Sequence, residues 1–216
     1  NVLISADPSL FNAHYIDDRW KCLGDYVNEF MGEDVTGSKF DWDIVWNLIS
    51  VSYFKTALSS CITGNNELKY VKTITNDGST FRTDGSLTWE RTVREAPQSV
   101  IKEKARTTHF HLYKDYNDIS EKRVALFTKL LERIKADGIK IHLVCSPFHP
   151  IFYKKLLQLK GARDAFEFVD RYAKENNIPL IGSFNPADEG LTESDFYDGP
   201  HVRKEIMDKI VERELF

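Results

Sequence analysis

The spacing of apolar positions changes several times along the chain, and each spacing suits a different element. Residues 2–6, "VLISA", form a short apolar run closed by Asp7-Pro8, the mark of a buried strand. From Tyr15 to about Met31 the pattern is mixed, aromatic and helical in part. Over 41–64, Ile44, Val45, Leu48, Ile49, Phe54 and Leu58 fall at helix spacing before Gly64 supplies a stop. Residues 68–89 alternate, are rich in Thr and contain Asn76-Asp77-Gly78, which predicts a β-hairpin excursion near 68–86. A helix is expected over about 91–106.

The clearest unit is 119–145. Ser120 can cap a helix that carries Val124, Phe127, Leu130, Leu131 and Ile134 on one face, and "ADG" (136–138) stops it. "IKIHLVC" (139–145) reads as a strand, followed by the proline-bracketed loop "SPFHP". The next helix has Ala165, Phe168, Val169, Tyr172 and Ala173 as its stripe. A strand over 178–184 and a last helix from about His201 to Leu215 complete the series. Helices alternating with short strands imply a parallel sheet covered by helices, in one domain of 216 residues.

Composition narrows the function classes. A hydrophobic fraction of 42% and a charged fraction of 29% are ordinary for a globular chain, and the net charge of −4 offers no basic surface for nucleic acid. No apolar run reaches the length of a membrane span. Cys22, Cys61 and Cys145 are too far apart for a zinc pattern and read as structural or free thiols. The chain opens on a core strand without a Met, as a fragment or processed product would.

Chemistry in an open parallel sheet gathers at the carboxyl ends of the strands. Three segments qualify: "SADPSLFN", "SPFHP" and "DFYDGPH" (195–201). Asp198 and His201 have the spacing of a carboxylate that orients an imidazole base, although a helix turn with an incidental His has the same spacing. Ser146 and His149 are expected to line a substrate cleft, with Asp7 as a further substrate-binding residue. Ser146 is a poor nucleophile candidate, because nucleophile elbows use Gly where this loop has Pro. The competing reading of His149 is a rigid loop bonded to backbone. His109 and His111 alternate as on a strand and lack further ligands, so no metal site is expected. Trp20, Trp42, Trp46, Tyr53 and Phe54 read as core.

On these residues the chain resembles the SGNH (GDSL-type) hydrolase superfamily. It is most similar to the envelope-associated SGNH-like proteins, of the lipoteichoic-acid D-alanylation and polysaccharide O-acetyltransferase type. "DFYDGPHV" matches the C-terminal DxxH block, and "NVLISADPSLF" is similar to the block that carries the family's G-x-N. "FRTDGSLTW" and "GIKIHLVCSPFHPIFY" resemble further recurring segments. The resemblance implies a three-layer α/β sandwich with a mostly parallel sheet, SGNH- or flavodoxin-like. His201 would be the general base and Asp198 its partner.

Two departures qualify the match. The family's Gly and Asn fall at Ser5 and Asp7, and an ionised carboxylate cannot donate to an oxyanion. The family's Ser block lies upstream of the matched region. "ADPSL" echoes it at Ser9 only superficially, because Pro8 intrudes and the first Gly is missing. The expectation is therefore an N-terminally truncated domain that lacks its first strand, with an open sheet edge inviting self-association or local rearrangement. The implied function is an ester hydrolase or O-acyltransferase acting on a cell-envelope glycan outside the cytoplasm, without cofactor. Membrane contact would come only through a missing N-terminal segment, and the nucleophile from upstream. The alternative is a non-catalytic glycan-binding or assembly module.

Overall fold

The computed structural model describes residues 1–15, 25–32, 80–81, 87–107 and 111–215. In chain order the described elements are β1 (Val2–Ser5), α1 (Asp25–Met31), β2 (Thr80–Phe81), β3 (Leu87–Thr88), α2 (Arg91–Arg94) and α3 (Gln98–Thr107). They continue with α4 (Glu121–Ala136), β4 (Ile141–Val144), α5 (Pro150–Leu156), α6 (Lys160–Glu175), β5 (Leu180–Ile181) and α7 (Lys204–Leu215). The chain divides into two compact units, residues 17–91 and residues 1–16 with 92–216. In the first, β2 and β3 pair antiparallel, Thr80 with Thr88 and Phe81 with Leu87. A hairpin therefore exists, but its pairing encloses residues 82–86. The helix expected over 41–64, Asn76-Asp77-Gly78, His109, Cys22, Cys61, Trp20, Trp42, Trp46, Tyr53 and Phe54 lie outside the described residues.

The second unit is mixed α/β around a small parallel sheet of order β1–β4–β5. Val2 pairs with Ile141, Ile4 with Leu143, and Leu143 with Leu180, so these five side chains share one face. Ile141 and Leu143 are buried in the core with Leu131 of α4 and Ala162, Ala165, Phe168, Val169 and Ala173 of α6, and Val2, Ile4, Leu180, Phe127 and Ile134 are partly buried against it. The helical stripes read from the sequence pack here, except that Leu130 of α4 turns outward and is 40% exposed. Against β5 lies α7, with Ile210 buried beside Gly182. Among the described residues β1 pairs only with β4; Leu3 is 45% exposed and Ser5 is exposed.

The loop after β1 is fixed by long-range bonds. Phe11 is fully buried, edge-on to Phe127 at 5.2 Å and to Phe168 at 5.1 Å between centroids. The Tyr116 hydroxyl donates to the Pro8 carbonyl at 2.6 Å, and the Asn12 side-chain amide donates to the carbonyls of Leu112 and Lys114. The Phe11 carbonyl accepts from the Ser120 N–H at 2.8 Å. Ser120 also caps α4, its hydroxyl accepting from the Arg123 N–H at 3.4 Å. That bond is long, so Ser120→Ala is expected to cost only about 0.5–1 kcal/mol in urea denaturation.

Several boundaries differ from the sequence expectations. The helix expected over 91–106 is interrupted between Arg94 and Gln98. Pro97 has no N–H to donate and disfavours helical backbone at Ala96. The strand expected over 178–184 is reduced to Leu180–Ile181, and α5 is a separate short helix that begins at Pro150, the last residue of "SPFHP". His111 opens a 3-10 turn, His111–Tyr113, and is not in a strand. The last helix begins at Lys204, not His201. Phe196 and Val202 bridge antiparallel, and the Arg203 N–H donates to the Asp195 carbonyl, which holds 196–203 as a closed loop.

Candidate active site

The carboxyl ends of β1, β4 and β5 lie at one edge of the sheet, because the three strands are parallel. The loop after β5 carries a carboxylate–imidazole pair. His201 Nδ1 lies 2.9 Å from both Asp198 carboxylate oxygens, and the His201 backbone N–H donates to Oδ1 at 2.9 Å. A carboxylate only accepts, so this contact puts a proton on Nδ1. The Tyr197 N–H donates to the His201 carbonyl at 2.8 Å, closing the turn from the other side. The His201 side chain is 42% exposed and that of Asp198 21%, so the imidazole is accessible while its partner is shielded.

The loop after β4 is anchored to this turn. The Phe148 N–H donates to the Phe184 carbonyl at 3.2 Å, and the His149 N–H to the Gly199 carbonyl at 2.8 Å. Gly199 lies under the Phe152 ring, where a Cβ would come within 3.0 Å of two ring carbons, so only glycine fits without displacing the ring. His149 is fully buried and caps α5, its Nδ1 accepting from the Ile151 N–H at 3.2 Å. Ser146, expected beside it in the cleft, is half-buried. At the end of β4, burial and then the charge of Asp170 push the Cys145 thiol up to about 12, so it stays protonated.

Asp7 at the end of β1 is engaged within the fold. Its Oδ1 accepts from the Ser9 N–H at 2.8 Å, capping the turn Pro8–Phe11, and from the Tyr113 hydroxyl at 3.0 Å. Burial first, then the Asp7 charge, holds the Tyr113 phenol well above its usual range, so it remains a donor. Ser9 itself is buried.

The structure thus joins Asp198 to His201, and joins the backbone of His149 to their turn. Asp7 is tied to Tyr113, whose ring lies edge-on to Phe148 at 6.3 Å and Phe152 at 5.9 Å. Sequence reasoning missed Tyr113, Gly199 and Phe152 as supports. Tyr113 lies in a stretch without periodicity, and nothing local marks it as the partner of a residue 106 positions away. Among the described residues no group of three or more His, Cys, Asp and Glu is placed to hold a metal ion. A groove of about 540 Å³, lined by Lys135, Lys140, His142 and Asn177 among others, opens at the amino ends of β4 and β5, away from the pair.

These features define a mixed α/β protein with a small parallel three-stranded sheet and a carboxylate–imidazole pair in the loop after the last strand of that sheet. Compared with known proteins, the chain matches no family model, no curated protein and no solved structure.

Proposed function

We propose that this chain is the dyad-bearing part of an SGNH-type ester hydrolase or O-acyltransferase that acts on a cell-envelope glycan. The observation that carries the reading is the bidentate contact of Asp198 with His201 Nδ1, fixed by the His201 N–H in a partly exposed loop beyond β5. His201 Nε2 would take the proton of a serine hydroxyl as it attacks the ester carbonyl, and would return that proton to the leaving alcohol. Asp198 would stabilise the imidazolium formed in between. The nucleophilic Ser is assigned to a segment upstream of residue 1. The sheet order is in keeping with this: β1–β4–β5 follows chain order, and among the described residues no strand pairs with the far side of β1, where a further parallel strand would add. The same edge could instead pair with a second copy.

One observation favours the rival reading, a non-catalytic glycan-binding or assembly module. Asp7 stands where the resemblance expects an Asn donor, and among the described residues its side chain acts as an acceptor, from Ser9 and Tyr113. An acceptor there stabilises no oxyanion.

The test is acyl-ester hydrolysis, measured with p-nitrophenyl acetate and with an acetylated glycan. The 216-residue chain alone is expected to give no turnover above buffer, and the longer natural product is expected to be active. If the 216-residue chain is active and His201→Ala abolishes that activity, the upstream assignment of the nucleophile is wrong, and Ser5, Ser9 and Ser146 are the positions to mutate. If the full-length product binds glycan but shows no turnover, the binding-module reading replaces the enzyme.

A further inference from the structure

We propose that His149 is a positioning residue for the Asp198–His201 pair, holding the 198–201 turn in place only while its own ring is neutral. This role rests on the dyad reading of Asp198 and His201. It concerns the conformation of their turn, however, and can be tested without any turnover.

Two bonds from one residue connect two loops. The His149 backbone N–H reaches the Gly199 carbonyl inside the turn at 2.8 Å, and its ring accepts the Ile151 N–H at the start of α5. The ring also packs edge-on to Phe196, 5.5 Å between centroids, and Phe196 bridges Val202 to close the loop around the pair. Phe152, one turn into α5, covers Gly199. The ring thus holds the start of α5 and the base of the loop through Ile151 and Phe196, while the backbone of the same residue anchors Gly199, so a shift of the His149 ring that carries its backbone along loosens both.

The ring can serve in one protonation state only. With Nδ1 accepting from Ile151, the neutral ring carries its proton on Nε2. Nε2 is buried, and among the described residues no hydrogen-bond partner meets it. A second proton would have to go to Nδ1, where it would face the Ile151 N–H, donor against donor. The charged ring would then be fully buried with no acceptor at either nitrogen, a costly state.

The surrounding charges do not reverse this. Burial is the main influence and holds the His149 pKa below the ordinary histidine value. Glu193 opposes that shift, Lys102 of α3 reinforces it, and Asp198 opposes it. Lys102 and Glu193 pair with each other at 3.2 Å, so their effects on the ring largely cancel. The sign follows: the folded pKa lies below the unfolded one, so the open state binds the proton more readily. The stabilisation is complete above the ordinary histidine pKa and is lost as pH falls toward the depressed folded value.

The test is a pH titration of the isotopically labelled 216-residue chain by NMR. It reads the tautomer of His149 and the hydrogen-exchange protection of the His149 and His201 amides. The expected result is a neutral ring protonated at Nε2, with both amides losing protection together as His149 takes up its proton. In His149→Asn the side-chain oxygen can accept from Ile151 as Nδ1 does, but cannot titrate. There protection should persist to a pH lower by roughly one unit or more. In His149→Ala it should be weak at every pH. The proposal is overturned if the neutral proton is on Nδ1, if His149→Asn loses protection at the same pH as the natural chain, or if His149 titrates while the His201 amide stays protected. The tautomer is read in the natural chain, so a variant that fails to fold does not rescue the idea.

Discussion

On the proposed esterase reading, Asp198→Asn is expected to lower kcat for acyl-ester turnover of the longer, serine-bearing protein by about 10⁴-fold with little change in stability. Asp198 accepts both N–H groups of His201, the backbone one at Oδ1 and the ring one at both oxygens. In the variant the amide oxygen is retained by the backbone N–H, which leaves the amide NH₂ facing Nδ1. Nδ1 must then accept, the ring proton moves to Nε2, and the atom that should take the serine proton already holds one. The lost negative charge also leaves the imidazolium unsupported. Steady-state kinetics on p-nitrophenyl acetate, with urea denaturation as the control for folding, decide the matter. A loss smaller than tenfold in a well-folded variant would mean that Asp198 shapes the turn and does not serve catalysis.

The largest expected effect on stability is at Phe11. Replacing it by Ala should cost about 3–5 kcal/mol in urea denaturation. The ring is fully buried and meets Phe127 of α4 and Phe168 of α6 edge-on, so its removal leaves a cavity at the junction of three segments. Those partners lie on rigid helices and cannot collapse inward without giving up their own contacts with the sheet. Phe11→Leu retains part of the volume and should cost about 1–2 kcal/mol. Equal losses for the two variants would show that the edge-to-face geometry, more than the filled volume, sets the energy.

The sequence by itself determined the elements whose information is local. The stripe Ala165–Phe168–Val169–Ala173 is four buried residues of α6, because a helix that covers a sheet must repeat its apolar positions every three or four residues. Ser120 as a cap and "ADG" as a stop are equally local, and α4 runs between them from Glu121 to Ala136. The pairing of Asp198 with His201 was legible as one of two local readings, since three residues of turn can bring both groups together; the bonds that hold the turn closed come from outside it.

Only the tertiary structure decided the remainder, because it depends on partners distant in the chain. The strand expected over 178–184 shrank to two residues, since pairing with β4 ends where Ile181 meets Val144. The final helix started three residues late because Arg203 donates its N–H to Asp195 and holds the preceding loop closed. His149 left two local readings open, a cleft-lining group or a ring bonded to backbone. Burial under Phe196 and a bond to Gly199, 50 residues away, settled where it sits. Asp7 was read beside its neighbours Pro8 and Ser9, yet its second contact is Tyr113. Hydrophobic spacing encodes which face of an element turns inward. Which buried polar group meets which is fixed only when the faces pack and each donor must find an acceptor out of water.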